Sequence, residues 1–103
     1  MSDFAADVIA TSHQRPVLVD FNATWCPPCR MLAPVLEVAA ERNGFQLVPI
    51  DTDAQGALAA EHGVSGIPDV RLWHRGREIG RFVGFRPLPQ VEQWVRDQLK
   101  AAA

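Results

Sequence analysis

Only two of the 103 residues are cysteine, which removes the usual architecture of small secreted domains, where several disulfides staple an undersized core. The two are Cys26 and Cys29, and a single close pair in a reducing compartment reads as redox-active or metal-binding. Cationic excess is also missing. Ten Lys and Arg against twelve Asp and Glu leave a formal net charge of -2, and no basic stretch is interleaved with aromatics, so nucleic acid is not expected as a partner. There is no apolar run long enough to cross a membrane, and Met1 to Ala10 carries Asp3 and Asp7 without a basic n-region, which argues against a signal peptide. A cytoplasmic chain with no membrane partner is expected. No repeat, linker or low-complexity tract interrupts the sequence, and its length accommodates one domain over residues 1–103 and no second.

What is present reads as alternating strands and helices. Ser2 or Asp3 can cap a short helix from Phe4 to about Thr11, with Phe4, Val8 and Ile9 on one side. Val17-Leu18-Val19-Asp20-Phe21 is too short and too β-branched for a helix and reads as a strand buried on both faces, hence part of a parallel arrangement. Met31, Leu32, Val35, Leu36 and Ala39 then recur at helical spacing, entered through Pro28, kinked at Pro34 and stopped at Asn43-Gly44. A strand over Gln46 to Asp51 completes β-α-β, followed by an Ala-rich helix from about Asp53 to His62. Val70 to His74 and Glu78 to Gly84 flank the turn signal Arg75-Gly76 and form an antiparallel hairpin. Pro87 opens a last helix with Leu88, Val91, Val95 and Leu99 on one face, fraying over Ala101 to Ala103.

The chemistry points to Cys26-Pro27-Pro28-Cys29. A thiolate that attacks a disulfide needs a depressed pKa, access, and a second thiol to resolve the mixed disulfide. If Cys26 is the N-cap of the long helix, its sulfur faces the positive end of the helix dipole and can accept from the Cys29 amide. Zinc would need about four ligands, and His13, His62 and His74 show no paired ligand spacing, so no metal is expected. Two ordinary buried cysteines are the remaining reading, disfavoured by Trp25 and the flanking prolines.

Val17-Leu18-Val19-Asp20-Phe21, Ala23-Thr24-Trp25-Cys26, Pro28-Cys29, Pro34, Gly66-Ile67-Pro68 and Gly84 stand in the order and spacing of the thioredoxin family, which the chain resembles over nearly its whole length. The resemblance implies an α/β thioredoxin fold. It implies further that Cys26 attacks, that Cys29 resolves, and that Asp20 is a buried carboxylate helping Cys29 lose its proton. It also implies a cis peptide before Pro68 and a groove of Trp25, Pro28, Ile67, Pro68 and Gly84, in which the Ile67 backbone pairs with an extended client segment. No cofactor beyond the Cys26-Cys29 disulfide is implied. The implied partners are a thioredoxin reductase or equivalent electron donor and disulfide-containing client proteins, with the chain acting as a monomer.

Four departures from the family pattern qualify this. Pro27 stands where glycine is usual. It keeps the Cys29 amide free and, by restricting the open dithiol loop, favours ring closure and stronger reducing power. Pro49 replaces the lysine often found near the buried acid, so Asp20 ionises less readily. Asp69 follows Pro68 where a hydroxyl or apolar residue is usual; near Cys26 it would disfavour the thiolate, with Arg71 as its candidate counter-ion. Only Met1 and Ser2 precede the opening helix, so the family's first strand is expected to be absent, leaving a mixed four-stranded sheet flanked by four helices with Gln46 to Asp51 at an edge that tolerates Pro49. The reading is a protein-disulfide reductase. The alternatives are a thioredoxin-like protein dedicated to one client, with Asp69 and Phe85 tuning recognition, or a non-catalytic binding module.

Overall fold

Every residue from Val17 to Phe21 is buried, as in a strand covered by helices on both faces. In the computed structural model, which describes residues 3–103, this segment is β1 (Val17–Asn22). With β2 (Gln46–Asp51), β3 (Asp69–His74) and β4 (Arg77–Val83) it makes one four-stranded sheet in the order β2-β1-β3-β4. β1 and β2 run parallel, while β3 is antiparallel to both β1 and β4, so the sheet is mixed. Three α-helices, α1 (Pro27–Asn43), α2 (Gly56–Glu61) and α3 (Leu88–Ala102), join an opening helical segment of a π-turn run, Ala5–Ala10, and a 3-10 turn, Thr11–His13.

Side-chain alternation along β1 divides the core in two. Leu18 points to a cluster with Leu32, Leu36 and Ala39 of α1 and Val91, Trp94 and Val95 of α3. Val17, Val19 and Phe21 point to the other, with Val8, Val48, Ile50 and Ala59. Asp20 shares the Leu18 parity, beside Pro49 of β2 and Val70 of β3. Among the described residues nothing pairs with the outer side of β2, so Pro49 sits on an edge strand where its missing N–H costs no ladder bond.

Several local expectations shift. Asp3 caps the opening segment, its Oδ1 accepting from the Ala6 N–H at 3.3 Å, while Ser2 lies outside the described residues. Phe4 and Val8 pack into the second cluster; Ile9 does not join it. Met31, expected on the inner face of α1, is 60% exposed, because the buried stripe is Cys29, Leu32, Leu36, Ala39 and Ala40 and Met31 lies about 100° around the helix from Leu32. The Ala-rich helix is shorter than expected, since residues 52–55 form turns anchored by the Asp51 carboxylate on the Asp53 and Ala54 amides. α3 holds its helical form through Ala102 and buries Trp94, edge-on to Phe82 with ring centroids 4.8 Å apart. No helix among the described residues is long and apolar enough to cross a membrane.

At the β3–β4 turn Arg75 and Gly76 both have positive φ, 53° and 83°, the pair that a two-residue hairpin matching strand twist requires. A Cβ at Gly76 would also fall 2.8 Å from His13 Nε2. Gly76→Ala is expected to lower unfolding stability by about 1–2 kcal/mol, read from urea denaturation.

Candidate active site

Pro27 and Pro28 supply no N–H, and the first two helical positions are where a missing donor is harmless. They start α1 there and leave Cys26 as its N-cap in an extended conformation, φ -91° and ψ 108°. Cys26 Sγ accepts from the Cys29 N–H at 3.3 Å. The two sulfurs are joined as a disulfide, with Cα atoms 5.3 Å apart. Negative charge developing on Cys26 therefore meets a fixed backbone donor and the positive end of a 17-residue helix.

Both cysteines are largely enclosed, 4% and 3% exposed, in a small cluster with Ala23 and Ile67. Beside them Trp25 is 66% exposed, its indole Nε1 donating to Asp53 Oδ2 at 2.8 Å. A pocket of about 360 Å³ opens next to it, lined by Trp25, Ala59, Ala60, Val64 and Ile67 among others. The Ile67-Pro68 peptide is cis. The Ile67 carbonyl oxygen lies 3.9 Å from Cys26 Sγ, and the Pro68 carbonyl accepts from the Gly84 N–H at 2.8 Å. Trp25, Ile67, Pro68 and Gly84 are thus gathered around Cys26, and Pro28 is exposed on the first turn of α1.

Asp20 is buried, and its Oδ1 has no hydrogen-bond partner. Burial pushes its carboxyl up from 3.8 to about 6. Asp20 and Cys29 line one pocket of about 190 Å³, with Asn22, Ala23, Thr24, Arg30 and Ala33.

Asp69 does not act on the thiols as a free charge. It lies in register with Phe21 and side-chain alternation turns it to the opposite sheet face from Asp20. There Arg71 grips it bidentately, Nε to Oδ1 at 2.7 Å and an η-nitrogen to Oδ2 at 3.1 Å. Arg81 adds a third bond to Oδ2 at 3.0 Å, and Arg71 also reaches Glu78 at 2.9 Å. The Asp69–Arg71 pairing follows from their i, i+2 spacing; the roles of Arg81, Glu78 and Asp53 are not legible in the sequence. Two arginines facing each other across β3 and β4 demand a carboxylate between them, a signal visible only once register is known. Asp53 lies in a turn and carried no sequence signal.

The family model for thioredoxin matches residues 1–97. A thioredoxin of Mycolicibacterium smegmatis is 46% identical over 85 residues, covering 79% of this chain and 74% of that protein. A bifunctional thioredoxin reductase/thioredoxin of Mycobacterium leprae is 45% identical over 85 residues, 81% of this chain and 18% of that much longer protein. A solved mutant thioredoxin from Halobacterium salinarum superposes with a TM-score of 0.83 at 32% identity, covering 95% of this chain and 86% of that one. Joined cysteines at a helix N-terminus, on this sheet and with these relatives, are those of a thiol-disulfide oxidoreductase whose chemistry needs no cofactor, and the chain belongs to the thioredoxin family.

Proposed function

We propose that the chain reduces disulfides in client proteins, with Cys26 attacking and Cys29 resolving. The observation that carries this is the N-cap geometry: Cys26, and not Cys29, sits where the helix end and the Cys29 amide favour a thiolate. In the dithiol form Cys26 Sγ displaces one client sulfur, giving a mixed disulfide and a client thiolate that takes up a proton. Cys29 Sγ, losing its proton to Asp20 through their shared pocket, then attacks Cys26 Sγ and expels the client sulfur as a thiolate, which takes up a proton. The client leaves with two thiols, and the Cys26-Cys29 disulfide is formed.

Trp25, Pro28, Ile67, Pro68 and Gly84 would form the client groove, the unpaired Ile67 backbone accepting an extended segment as a further strand. An electron donor of the thioredoxin reductase kind would restore the dithiol, and the joined reductase and thioredoxin of the Mycobacterium leprae relative supports such a pairing. Because one chain carries both thiols, residues 1–103 would work as a single monomeric domain. The single close cysteine pair suits the reducing cytoplasm.

Turnover of insulin disulfides coupled to a thioredoxin reductase tests the activity, and failure to accelerate insulin reduction would refute it. Pro27 adds a prediction. A compatible proline is worth roughly 0.4–1 kcal/mol through lost chain entropy, which converts to about 10–20 mV of added reducing power. The reference point is the potential of thioredoxin itself, about -270 mV, and this chain is expected slightly below it. Equilibration with a glutathione buffer measures it, and a value near the roughly -120 mV of strong oxidants would overturn the reductant reading.

A further inference from the structure

We infer that Arg71 is a positioning residue for client binding: its buried guanidinium anchors the start of the loop that presents Ile67 to the client. The inference rests on the client-reduction reading above and identifies what holds that groove in place.

The loop runs from the end of α2 at His62 to Pro68, where β3 begins. Among the described residues no backbone hydrogen bond reaches Ser65, Gly66 or Ile67. A segment left open in this way can pair with an incoming strand, but its position must then be set from its ends. The far end is held by the Gly84 N–H on the Pro68 carbonyl at 2.8 Å. The near end is held by the Gly63 and Val64 amides on the Ala60 and Ala59 carbonyls, each at 3.0 Å, and by Arg71, whose η-nitrogen donates to the His62 carbonyl at 2.7 Å and fixes that turn against β3.

The guanidinium is built to stay there. Arg71 is 3% exposed, its forked donors are fixed on both Asp69 oxygens, and it lies over the Phe21 ring at 5.6 Å. Asp69 directly follows Pro68, and Arg81 ties it to β4 two residues before Val83. One buried group therefore links the end of α2, the residue after Pro68 and the strand that leads to Gly84. A smaller or single-pronged side chain cannot make this set of bonds at once.

The test is the double variant Asp69→Thr/Arg71→Leu, which removes both buried charges together and so leaves neither unpaired. For insulin, KM is expected to rise by about tenfold as the groove loses its placement. kcat, and the rate with the small disulfide dithiobis-nitrobenzoate, which needs no strand pairing, are expected to stay within about twofold. Amide exchange at Gly63, Val64 and Gly84 is expected to quicken by about tenfold relative to β1 amides. Equal losses on both disulfides, or an unchanged KM for insulin, would overturn the inference. If the unaltered chain itself leaves insulin untouched, the client-reduction reading fails and the exchange rates decide the inference alone. Unchanged exchange then overturns the anchoring of the loop by Arg71, and selective quickening upholds that anchoring while its service to a client falls with the client-reduction reading.

Discussion

A chain carrying Cys29→Ser is expected to stop at the first client disulfide it attacks, held to the client through Cys26 Sγ, with multiple turnover falling on the order of 10³-fold or more. The attacking half of the site survives the change. The donor to Cys26 Sγ is the backbone amide of residue 29, which serine retains, and the helix N-terminus is untouched. What disappears is a second thiol with its Cα 5.3 Å away, and a serine hydroxyl does not form a sulfur-displacing nucleophile near neutral pH. Mass spectrometry under non-reducing conditions will show client adducts that added dithiol releases. Cys26→Ser is expected to abolish turnover and adducts alike. Burial does not separate the two cysteines, so the contrast rests wholly on the N-cap. Adducts formed by the Cys26→Ser chain through Cys29 would show that the roles are reversed.

The features readable from sequence are those whose causes lie within a turn or two of chain. Cys26 as N-cap follows from two prolines and the amide three residues on, and Asn43-Gly44 ends α1 because glycine accepts the left-handed conformation found there, φ 72°. β2 is bounded as expected by composition alone, and β1 runs one residue past the expected Phe21, to Asn22. What escaped depends on contacts between distant segments. Trp94 joins the core because β4 places Phe82 beneath it. The charge network needed the hairpin register. Counting outward from Arg75-Gly76 without interruption would set Gly80 opposite Arg71. The irregularity at Leu72/Trp73 leaves Ile79 as an extra residue and brings Arg81 there instead. One inserted residue thus decides whether Asp69 meets one arginine or two, and local pattern carries no trace of it.

Asp20 is where stability and chemistry pull apart most, and Asp20→Asn measures the separation. Desolvation holds this carboxyl at about 6 against an ordinary 3.8, and its neighbour on β2 is Pro49, not a cation. Below 3.8 the group is neutral in both folded and unfolded chains and the shift has no effect on stability. As pH rises from there to about 6 the unfolded chain releases the proton first, so stability is lost through that window, and above it the full cost remains. Two units at about 1.4 kcal/mol each make the cost ~3 kcal/mol, so the asparagine chain is expected to be more stable by about that amount at pH 7. The advantage should vanish near pH 3.5 in urea unfolding. Turnover moves the other way. Resolution of the mixed disulfide should slow by roughly 10²-fold when the base is gone, and its rise with pH around 6 should disappear. An asparagine chain no more stable than the parent at pH 7 would remove the buried-carboxylate account. One that is stabilised yet resolves at the parent rate would keep the burial and remove the base. Only the joint result explains why an unpaired acid stands in a core where β1 otherwise buries nothing but apolar side chains.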